Sequence, residues 1–515
     1  MLILREWIRD CDEHSSCKPP QTILPTRILD VGTPDCPEVH LWDPVPEGTI
    51  GKYVSLSYCW GESPEFTTSR ANLEARKAGI TVADMPATYQ DAVKLTRELG
   101  LRYLWLDSLC ICQDDAADWE RESSKMLSIY SNAYLTVSAA RAKNTSEGFL
   151  GPRIKRTFVE LLYTRDGLQQ SVLAFNLPLQ QELLKEKYID LGDEPLSQRA
   201  WSLQERALSS RTLIYGSEQM YFECHEGFKG EDGLCLDEPE NPQSLYWLHR
   251  LDLEGKSETD LLHEWSFMLT LYGPRSLTCA SDKLPAFSGI ASLYAKKLNQ
   301  DYLAGLWKNH LVEGLMWQSL SFRRVEEYRA PSWSWASGDG IPPFGHIGEY
   351  NEIAEILDAK VTLKGSNPFG EVTDGRIKLR APMEKLYMMT ENFDPEAPGH
   401  FPYDNNVNIR TANGNQEGFH SRFDFDFTAD DAAQEALKIV KSLENVDIFA
   451  LFLSIDRHGL KNEVDESGTY FGLIVKRVGD TEMYKRLGFV LCDKEDIGRD
   501  LEKGGKEDYH TVTLV

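Results

Sequence analysis

The sequence lacks the short glycine motifs that mark the commonest nucleotide-binding and hydrolytic folds. No G-x-G-x-x-G follows the first predicted strand, and neither G-x-x-x-x-G-K-[ST] nor G-x-S-x-G occurs. A Rossmann dehydrogenase, a P-loop ATPase and an α/β-hydrolase would each require one of these motifs. The sequence therefore points away from all three classes of enzyme.

Positive charge and long apolar runs are also scarce. The chain has 55 Lys and Arg residues against 81 Asp and Glu residues, for a net charge of −26. Binding to nucleic acid or to an anionic membrane needs a positive surface, so we expect neither partner. The N-terminal stretch MLILREWIRDCDEH has too short an apolar run for a signal peptide, and no run reaches the length of a membrane span. The expected location is the cytoplasm.

No regular framework organises the ten cysteines, which we predict to be reduced thiols. Two groups could suggest zinc. Cys224, His225 and Cys235 lack the paired C-x₂-C spacing of a structural site, and Cys110 with Cys112 supplies one ligand pair at most. We therefore expect no bound metal.

The clearest pattern in the chain runs from residue 103 to residue 140. Residues 103–106 form an apolar run that predicts a buried strand ending at Asp107. A helix with Asp118 as its N-cap follows, and residues 134–140 predict the next strand. Three- and four-residue steps place a row of side chains on one face of that helix, namely Trp119, Glu122, Met126 and Tyr130.

A second strand and helix precede this pattern. Residues 53–60 predict a strand and residues 85–100 a helix, so the order is strand, helix, strand, helix, strand. That alternation predicts parallel strands joined by crossovers, with ligands at their carboxyl ends. Seven side chains are expected near that edge: Ser57, Tyr58, Cys59, Trp60, Asp107, Cys110 and Gln113.

The side chains at this edge also have structural interpretations. Cys59 suits a small buried hydrophobic position, whereas Trp60 could pack under a turn or stack on a planar ligand. The block at 196–215 begins with a predicted helix, which continues to Leu208 and carries Arg199, Gln204 and Glu205, and it ends with a predicted strand at 212–215. These polar residues could help to build a pocket or could form a solvated, salt-bridged helix surface.

Three long blocks resemble one known family. They are YVSLSYCWG at 53–61, MPATYQDAVKLTRELGLRYLWLDSLCICQDDAADWERES at 85–123 and LSQRAWSLQERALSSRTLIY at 196–215. In this order they resemble the fungal heterokaryon-incompatibility (HET) domain, and the blocks at 277–291 and 330–340 are similar to it as well. The resemblance implies a protein that triggers cell death when genetically unlike fungal cells fuse.

The predicted fold is α/β, with a small parallel sheet and flanking helices. Four segments are expected: an N-terminal approach segment at 1–47, a HET core at 48–225, a helical extension at 226–350 that closes with an SWSW strand, and a β-rich region at 351–515. HET domains have been likened to TIR domains, which implies a TIR-like, flavodoxin-like core.

The TIR likeness also implies a chemistry, because some TIR domains hydrolyse NAD with one helical glutamate that follows a tryptophan. Trp119 and Glu122 have a similar spacing here. The candidate catalytic residues are therefore Glu122, Asp107 and Cys110. The candidate ligand-binding residues are Ser57, Tyr58, Cys59, Trp60, Gln113, Trp119, Arg199, Gln204 and Glu205. NAD is the candidate substrate, and no cofactor is required.

Two other functions remain open on sequence grounds. The first is a non-catalytic signalling module that associates with itself or recruits a protein partner. The second is a metabolic enzyme with Cys59 or Cys110 as nucleophile. A thiol nucleophile needs a base, and no histidine lies between His40 and His225, which weakens the second alternative.

Overall fold

A computed structural model describes most of the chain. The described residues are 2–17, 22–61, 66–154, 159–165, 167–174, 191–233, 235–236, 251, 253–318, 322–325, 327–340, 350–388, 409–411, 419–424, 438, 441–443, 446–456, 468–497, 501 and 509–515. The chain divides into two compact units, Met1–Glu254 and Gly255–Val515. No helix in these residues is both long and apolar enough to cross a bilayer.

The first unit contains one large sheet, one separate hairpin and the helices that flank them. Its strands are β1 Ile28–Asp30, β2 Glu38–Trp42, β3 Tyr53–Ser57, β4 Ile80–Thr81, β5 Tyr103–Trp105, β6 Leu135–Ser138, β7 Val159–Arg165, β8 Leu168–Ala174, β9 Arg211–Tyr215, β10 Met220–Cys224, β11 Gly227–Gly230 and β12 Cys235–Leu236. Its helices are α1 Leu2–Glu13, α2 Leu73–Ala78, α3 Ala87–Glu98, α4 Asp107–Cys110, α5 Ala116–Ser123, α6 Met126–Ser131 and α7 Ala200–Ala207, with 3₁₀ turns at Val82–Asp84 and Pro195–Gln198.

The large sheet is mixed rather than purely parallel. Its order is β12-β11-β10-β9-β6-β3-β5-β1-β2-β4. The central strands β5, β3, β6 and β9 are parallel, as predicted, and every residue of β3 and β6 is buried. The outer strands are antiparallel. The prediction of a small parallel sheet missed them because short turns join β1 to β2 and β9 to β10, and short turns permit only antiparallel pairing.

The register aligns the carboxyl ends of the parallel strands. Ser55 lies opposite Trp105, and Ser57 lies opposite Ser138. Asp107 follows β5 within two residues, so it and Ser57 reach the same edge of the sheet. This edge is where an open α/β sheet binds ligands.

The single helix predicted between Asp118 and the strand at 134–140 is wrong, because the structure has two helices there, α5 and α6. Asp115, not Asp118, is the N-cap of α5, and its carboxylate accepts hydrogen bonds from the backbone NH groups of Ala117 (3.1 Å) and Asp118 (3.2 Å). Asp118 is buried because it pairs with Arg27. The Asp118 carboxylate, which the sequence predicts as the helix N-cap, therefore forms a buried ion pair with Arg27 instead.

The second unit is helical at its start and β-rich afterwards, as predicted. Its helices are α8 Glu258–Tyr272, α9 Ser288–Leu298, α10 Leu311–Leu315 and α11 Lys494–Ile497, with 3₁₀ turns at Ala280–Lys283, Pro285–Phe287, Lys308–His310 and Trp335–Ser337. Its strands are β13 Tyr302–Leu303, β14 Leu306–Trp307, β15 Arg323–Arg324, β16 Gly338–Asp339, β17 Tyr350–Glu352, β18 Glu355–Leu363, β19 Val372–Met388, β20 Ile409–Thr411, β21 Phe419–Phe423, β22 Ile448–Asp456, β23 Thr469–Arg477, β24 Met483–Asp493 and β25 Tyr509–Leu514. The main sheet follows the order β17-β22-β23-β24-β25-β19-β18.

The SWSW segment at 332–335 is not a strand, so that prediction is wrong. It forms a turn that leads into the 3₁₀ helix Trp335–Ser337. The hydroxyl of Ser334 accepts a hydrogen bond from the backbone NH of Ala336 at 3.0 Å and caps this helix. A serine that bonds to the nearby backbone in this way competes with strand pairing.

Candidate functional site

Asp107 is the centre of a polar cluster at the carboxyl edge of the parallel strands. One carboxylate oxygen accepts hydrogen bonds from the Tyr58 hydroxyl and from the Ser108 backbone NH, both at 2.7 Å. The other oxygen accepts from the Trp60 indole at 2.8 Å. Burial raises the pKa of Asp107, while these three donors and Arg199 oppose the increase. The structure therefore brings Tyr58, Trp60 and Asp107 together.

The backbone turn after β3 presents Trp60 to Asp107. Gly61 follows at once with φ +87°, a conformation that L side chains rarely adopt. A Cβ atom at this position would also lie 2.7 Å from the Cβ of Asn144. Only glycine fits this turn without a shift of the neighbouring chain.

Two residues that the sequence did not single out for the site extend this network. The Tyr89 hydroxyl lies 3.0 Å from that of Tyr58 and 2.8 Å from that of Ser108. The helical period predicts Tyr89 for the buried stripe of α3, and it is indeed buried. The Tyr89 hydroxyl could have indicated a role in the site from the sequence, because a buried phenol usually needs a hydrogen-bonding partner.

A second carboxyl group, Glu205, reaches the same edge from α7. The hydroxyl of Ser57, the last residue of β3, donates a hydrogen bond to it. Burial, together with the nearby charge of Asp107, raises the pKa of Glu205 to about 7, although Ser57, Arg199 and Tyr130 each lower it. Glu205 thus exchanges a proton near neutral pH, which is unusual for a carboxyl group.

Arg199 supplies positive charge to this cluster. It is the N-cap residue of α7, and its guanidinium donates to the backbone oxygen of Tyr58 at 2.7 Å. Its charge lowers the pKa values of Asp107, Glu205 and Cys59 against the effect of burial. One guanidinium is thus within electrostatic range of both Asp107 and Glu205.

Gln113 supports the site through the backbone. Its amide donates to the backbone oxygen of Asp107 at 3.0 Å and to that of Ile111 at 3.1 Å. The Gln113 side chain therefore stabilises the turn that carries Asp107. Its two hydrogen bonds go to the backbone of that turn, which gives Gln113 a structural role there.

The two candidate nucleophiles, Cys59 and Cys110, are both buried. Burial raises the pKa of Cys59 to about 11 and that of Cys110 to about 12. A catalytic thiol needs a lowered pKa, so these environments disfavour the cysteine-dependent enzyme.

Glu122 is buried at 2 % exposure but is already paired. Its carboxylate lies 3.0 Å from the Lys125 ammonium and 3.3 Å from the Arg121 guanidinium. Trp119 packs edge-on against Trp201, with ring centroids 6.4 Å apart, and Gln204 is buried within α7. Asp107 and Glu205, rather than Glu122, are the carboxyl groups that share the polar cluster.

This arrangement joins a buried and a partly exposed carboxyl group, a guanidinium, two phenols and an indole at one strand edge. Enzymes that cleave glycosidic bonds commonly use a pair of carboxyl groups, one of which exchanges a proton while the other, ionised, stabilises positive charge. The aromatic side chains can hold a planar ring.

Comparisons with known proteins agree with the resemblance in the sequence. The model of the family described as "Heterokaryon incompatibility protein (HET)" matches residues 53–205, the segment that contains every candidate site residue. Searches of curated proteins and of solved structures found no match. The match suggests involvement in heterokaryon incompatibility. Residues 53–205 of this chain are thus a heterokaryon-incompatibility domain.

Proposed function

We propose that the HET domain hydrolyses NAD at the bond between nicotinamide and ribose. The observation that carries this proposal is Glu205, a buried carboxyl group with a pKa of about 7, near a second, partly exposed carboxyl group, Asp107, whose pKa is also raised. Loss of NAD would link the domain to the cell death that the family resemblance implies. NAD is the substrate, and the proposal requires no other cofactor.

The reaction divides between the two carboxyl groups. As the bond from C1′ to nicotinamide breaks, positive charge develops on the ribose, and the Asp107 carboxylate stabilises it. Nicotinamide leaves as a neutral base and needs no proton. Ionised Glu205 accepts a proton from the water that adds to C1′. The products are ADP-ribose, nicotinamide and one proton.

The strand order supports a TIR-like, flavodoxin-like core. In chain order the parallel strands are β3, β5, β6 and β9, and in space they follow β5-β3-β6-β9. This is the order 2-1-3-4 of flavodoxin-like sheets, which bind their ligand where the order reverses, between the first and third strands. Ser57 and Ser138 end those two strands. Glu205 bonds to the first of them.

The other polar residues fit the remaining parts of NAD. Arg199 is partly exposed and can pair with the pyrophosphate, since a guanidinium binds phosphate oxygens in a bidentate manner. Trp60 is also partly exposed and can stack on a planar ring. We propose the cytoplasm as the location, because reduced thiols are stable there.

The test is incubation of the purified full chain with NAD, with nicotinamide and ADP-ribose measured by chromatography. Wild type should release both products in equal amounts. Glu205→Gln keeps the side-chain shape but removes the proton acceptor, and should lower the rate on the order of 100-fold or more. Glu122→Gln is the matched control, because this buried helical glutamate is paired elsewhere, and it should keep its rate.

Two outcomes would contradict the proposal. In one, folded wild type leaves NAD intact. In the other, Glu205→Gln cleaves NAD as fast as wild type while Glu122→Gln loses activity, which would return the catalytic role to Glu122.

A second function, self-association as a signalling module, is favoured by the hairpin β7–β8. Within the described residues its two strands pair only with each other. Six of its large apolar side chains are each at least 42 % exposed: Val159, Leu161, Leu162, Tyr163, Leu168 and Val172. Open strand edges with apolar side chains suit pairing with a second copy of the chain. Light scattering should show a dimer that Leu162→Glu converts to a monomer; a monomeric wild type would contradict this function.

A further inference from the structure

Four potential metal ligands meet at the N-terminal end of the first unit, away from the residues of the candidate functional site. They are Cys11 near the end of α1, His14 and Cys17 in the turn that follows, and Cys224 at the end of β10. One ligand atom from each residue lies within 4.8 Å of the others. The three cysteines are at most 3 % exposed, and His14 is partly exposed.

The distances suit one metal ion at the centre of the group. The His14 Nδ1 atom lies 3.6 Å from the Cys17 Sγ atom and 3.7 Å from the Cys224 Sγ atom. Tetrahedral zinc, with zinc–sulfur bonds of about 2.3 Å and zinc–nitrogen bonds of about 2.1 Å, would separate neighbouring nitrogen and sulfur ligands by about 3.6 Å. A nitrogen atom that faces two sulfur atoms at this separation is placed as a tetrahedral ligand set requires.

The surroundings fit the charge of such a site. Three thiolates around Zn²⁺ carry one net negative charge, and the buried guanidinium of Arg211 can offset it. Arg211 donates to the backbone oxygen of Cys17 at 3.2 Å and to the carboxylate of Asp12 at 2.7 Å. Asp12 in turn accepts from the Tyr134 hydroxyl at 2.8 Å. These contacts fix the chain on both sides of the cysteines, as outer hydrogen bonds do around structural metals.

We infer that Cys11, His14, Cys17 and Cys224 form a structural zinc site that fastens the N-terminal helix to the central sheet. The ligand set Cys₃His is closed, so zinc would support the fold and would not bind substrate. This inference replaces the expectation of no metal. The sequence contains the spacing C-x₂-H-x₂-C at residues 11–17. The fourth ligand, Cys224, lies far along the chain, so the sequence alone does not join it to these three residues. Its neighbours His225 and Cys235 suggest a different group of ligands instead.

The first experiment measures metal in the purified full chain. The protein is prepared under reducing conditions, and gel filtration removes weakly bound metal. Elemental mass spectrometry should then find about one zinc ion per chain. Cys224→Ser should reduce this content at least about tenfold, because a closed site loses one of its four ligands. Cys235→Ser is the control, since Cys235 is exposed and outside the group, and it should keep the zinc.

The second experiment needs no variant that could fail to fold. X-ray absorption at the zinc edge of wild type should give three sulfur neighbours at about 2.3 Å and one nitrogen neighbour at about 2.0 Å. His14→Cys should retain zinc with four sulfur neighbours. The inference is overturned if folded wild type contains no stoichiometric metal, if its zinc has only oxygen or nitrogen neighbours, or if two of these cysteines form a disulfide under reducing conditions.

Discussion

Glu205 changes its charge within the physiological range of pH, since burial raises its pKa from the ordinary value of 4.5 to about 7. Between these two values the folded chain holds the proton and the unfolded chain has released it. The contribution of Glu205 to the free energy of unfolding is therefore greatest below about pH 4.5 and is lost as the pH rises through about 7. The full loss is on the order of 3 kcal/mol.

This linkage gives the first prediction, for Glu205→Gln. The glutamine does not ionise, so the variant should gain stability relative to wild type as the pH rises from 5 to 8, by up to about 3 kcal/mol. Urea unfolding of both proteins at several pH values measures the difference, and the other titrating groups cancel in the comparison. A difference that is constant over this range would show that Glu205 does not titrate as described.

Single residues of the site were predictable where strand ends determine their position. Ser57, Tyr58, Trp60 and Asp107 end predicted parallel strands, so the topology alone brings them to one edge. For Glu122 the sequence allows two interpretations, a catalytic carboxylate or an ion pair with Lys125 three residues later, and a helical period does not decide between them. The structure shows the ion pair with Lys125.

Elements of the first unit depend on buried ion pairs as well as on apolar packing. Arg27, just before β1, binds both carboxylate oxygens of Asp118 in α5, at 2.7 and 2.9 Å, and also binds Asp43 at 2.7 Å. The Asp118 carboxylate further accepts from the backbone NH of Cys112 at 2.8 Å. This group connects the start of the sheet to the segment that follows Asp107.

The second prediction is that Arg27→Met destabilises the chain by about 3 kcal/mol, because it leaves two acidic groups without their buried partner. Arg102→Met is the control. Arg102 pairs with Asp30 but is 65 % exposed, so its loss should cost under about 1 kcal/mol. Denaturant midpoints measure both, and equal effects would argue against a special role for the Arg27 group.

Elements were easier to predict than their boundaries. The strands β3, β5 and β6 of the parallel core lie in largely apolar segments, and their alternation with helices is present in the structure. The helix predicted after Asp118 is two helices in the structure, α5 and α6, because Ser124 and Lys125 interrupt it, and the apolar period alone does not show such a break. The strand predicted for the SWSW segment is wrong because the Ser334 hydroxyl accepts a hydrogen bond from the backbone NH of Ala336 and caps a 3₁₀ helix there.

At the scale of the whole molecule, the chain consists of two compact units, and all residues of the candidate site lie in the first. Each unit has its own sheet and its own buried residues. A unit that buries its own core can fold without the rest of the chain.

The third prediction is therefore that residues 1–254, expressed alone, fold cooperatively. Thermal unfolding followed by circular dichroism should give one sigmoidal transition, and a near-ultraviolet signal should report packed aromatic side chains. Fragment 1–210 is the control, because it ends before β9 and β10 and leaves the sheet incomplete. A fragment 1–254 that unfolds without cooperativity would show that the first unit depends on the second.

The hydrogen bond between Ser57 and Glu205 spans 148 residues of chain. During translation at about 5–20 residues per second, roughly 7 to 30 s pass between the synthesis of these two residues. Glu205 is made only at the end of that interval, after β3, β5, β6 and Asp107. With Glu205 as the proton acceptor that we propose, a ribosome-bound chain would remain inactive until α7 has emerged. The proposed active site would therefore form in the cell only once most of the first unit has been synthesised.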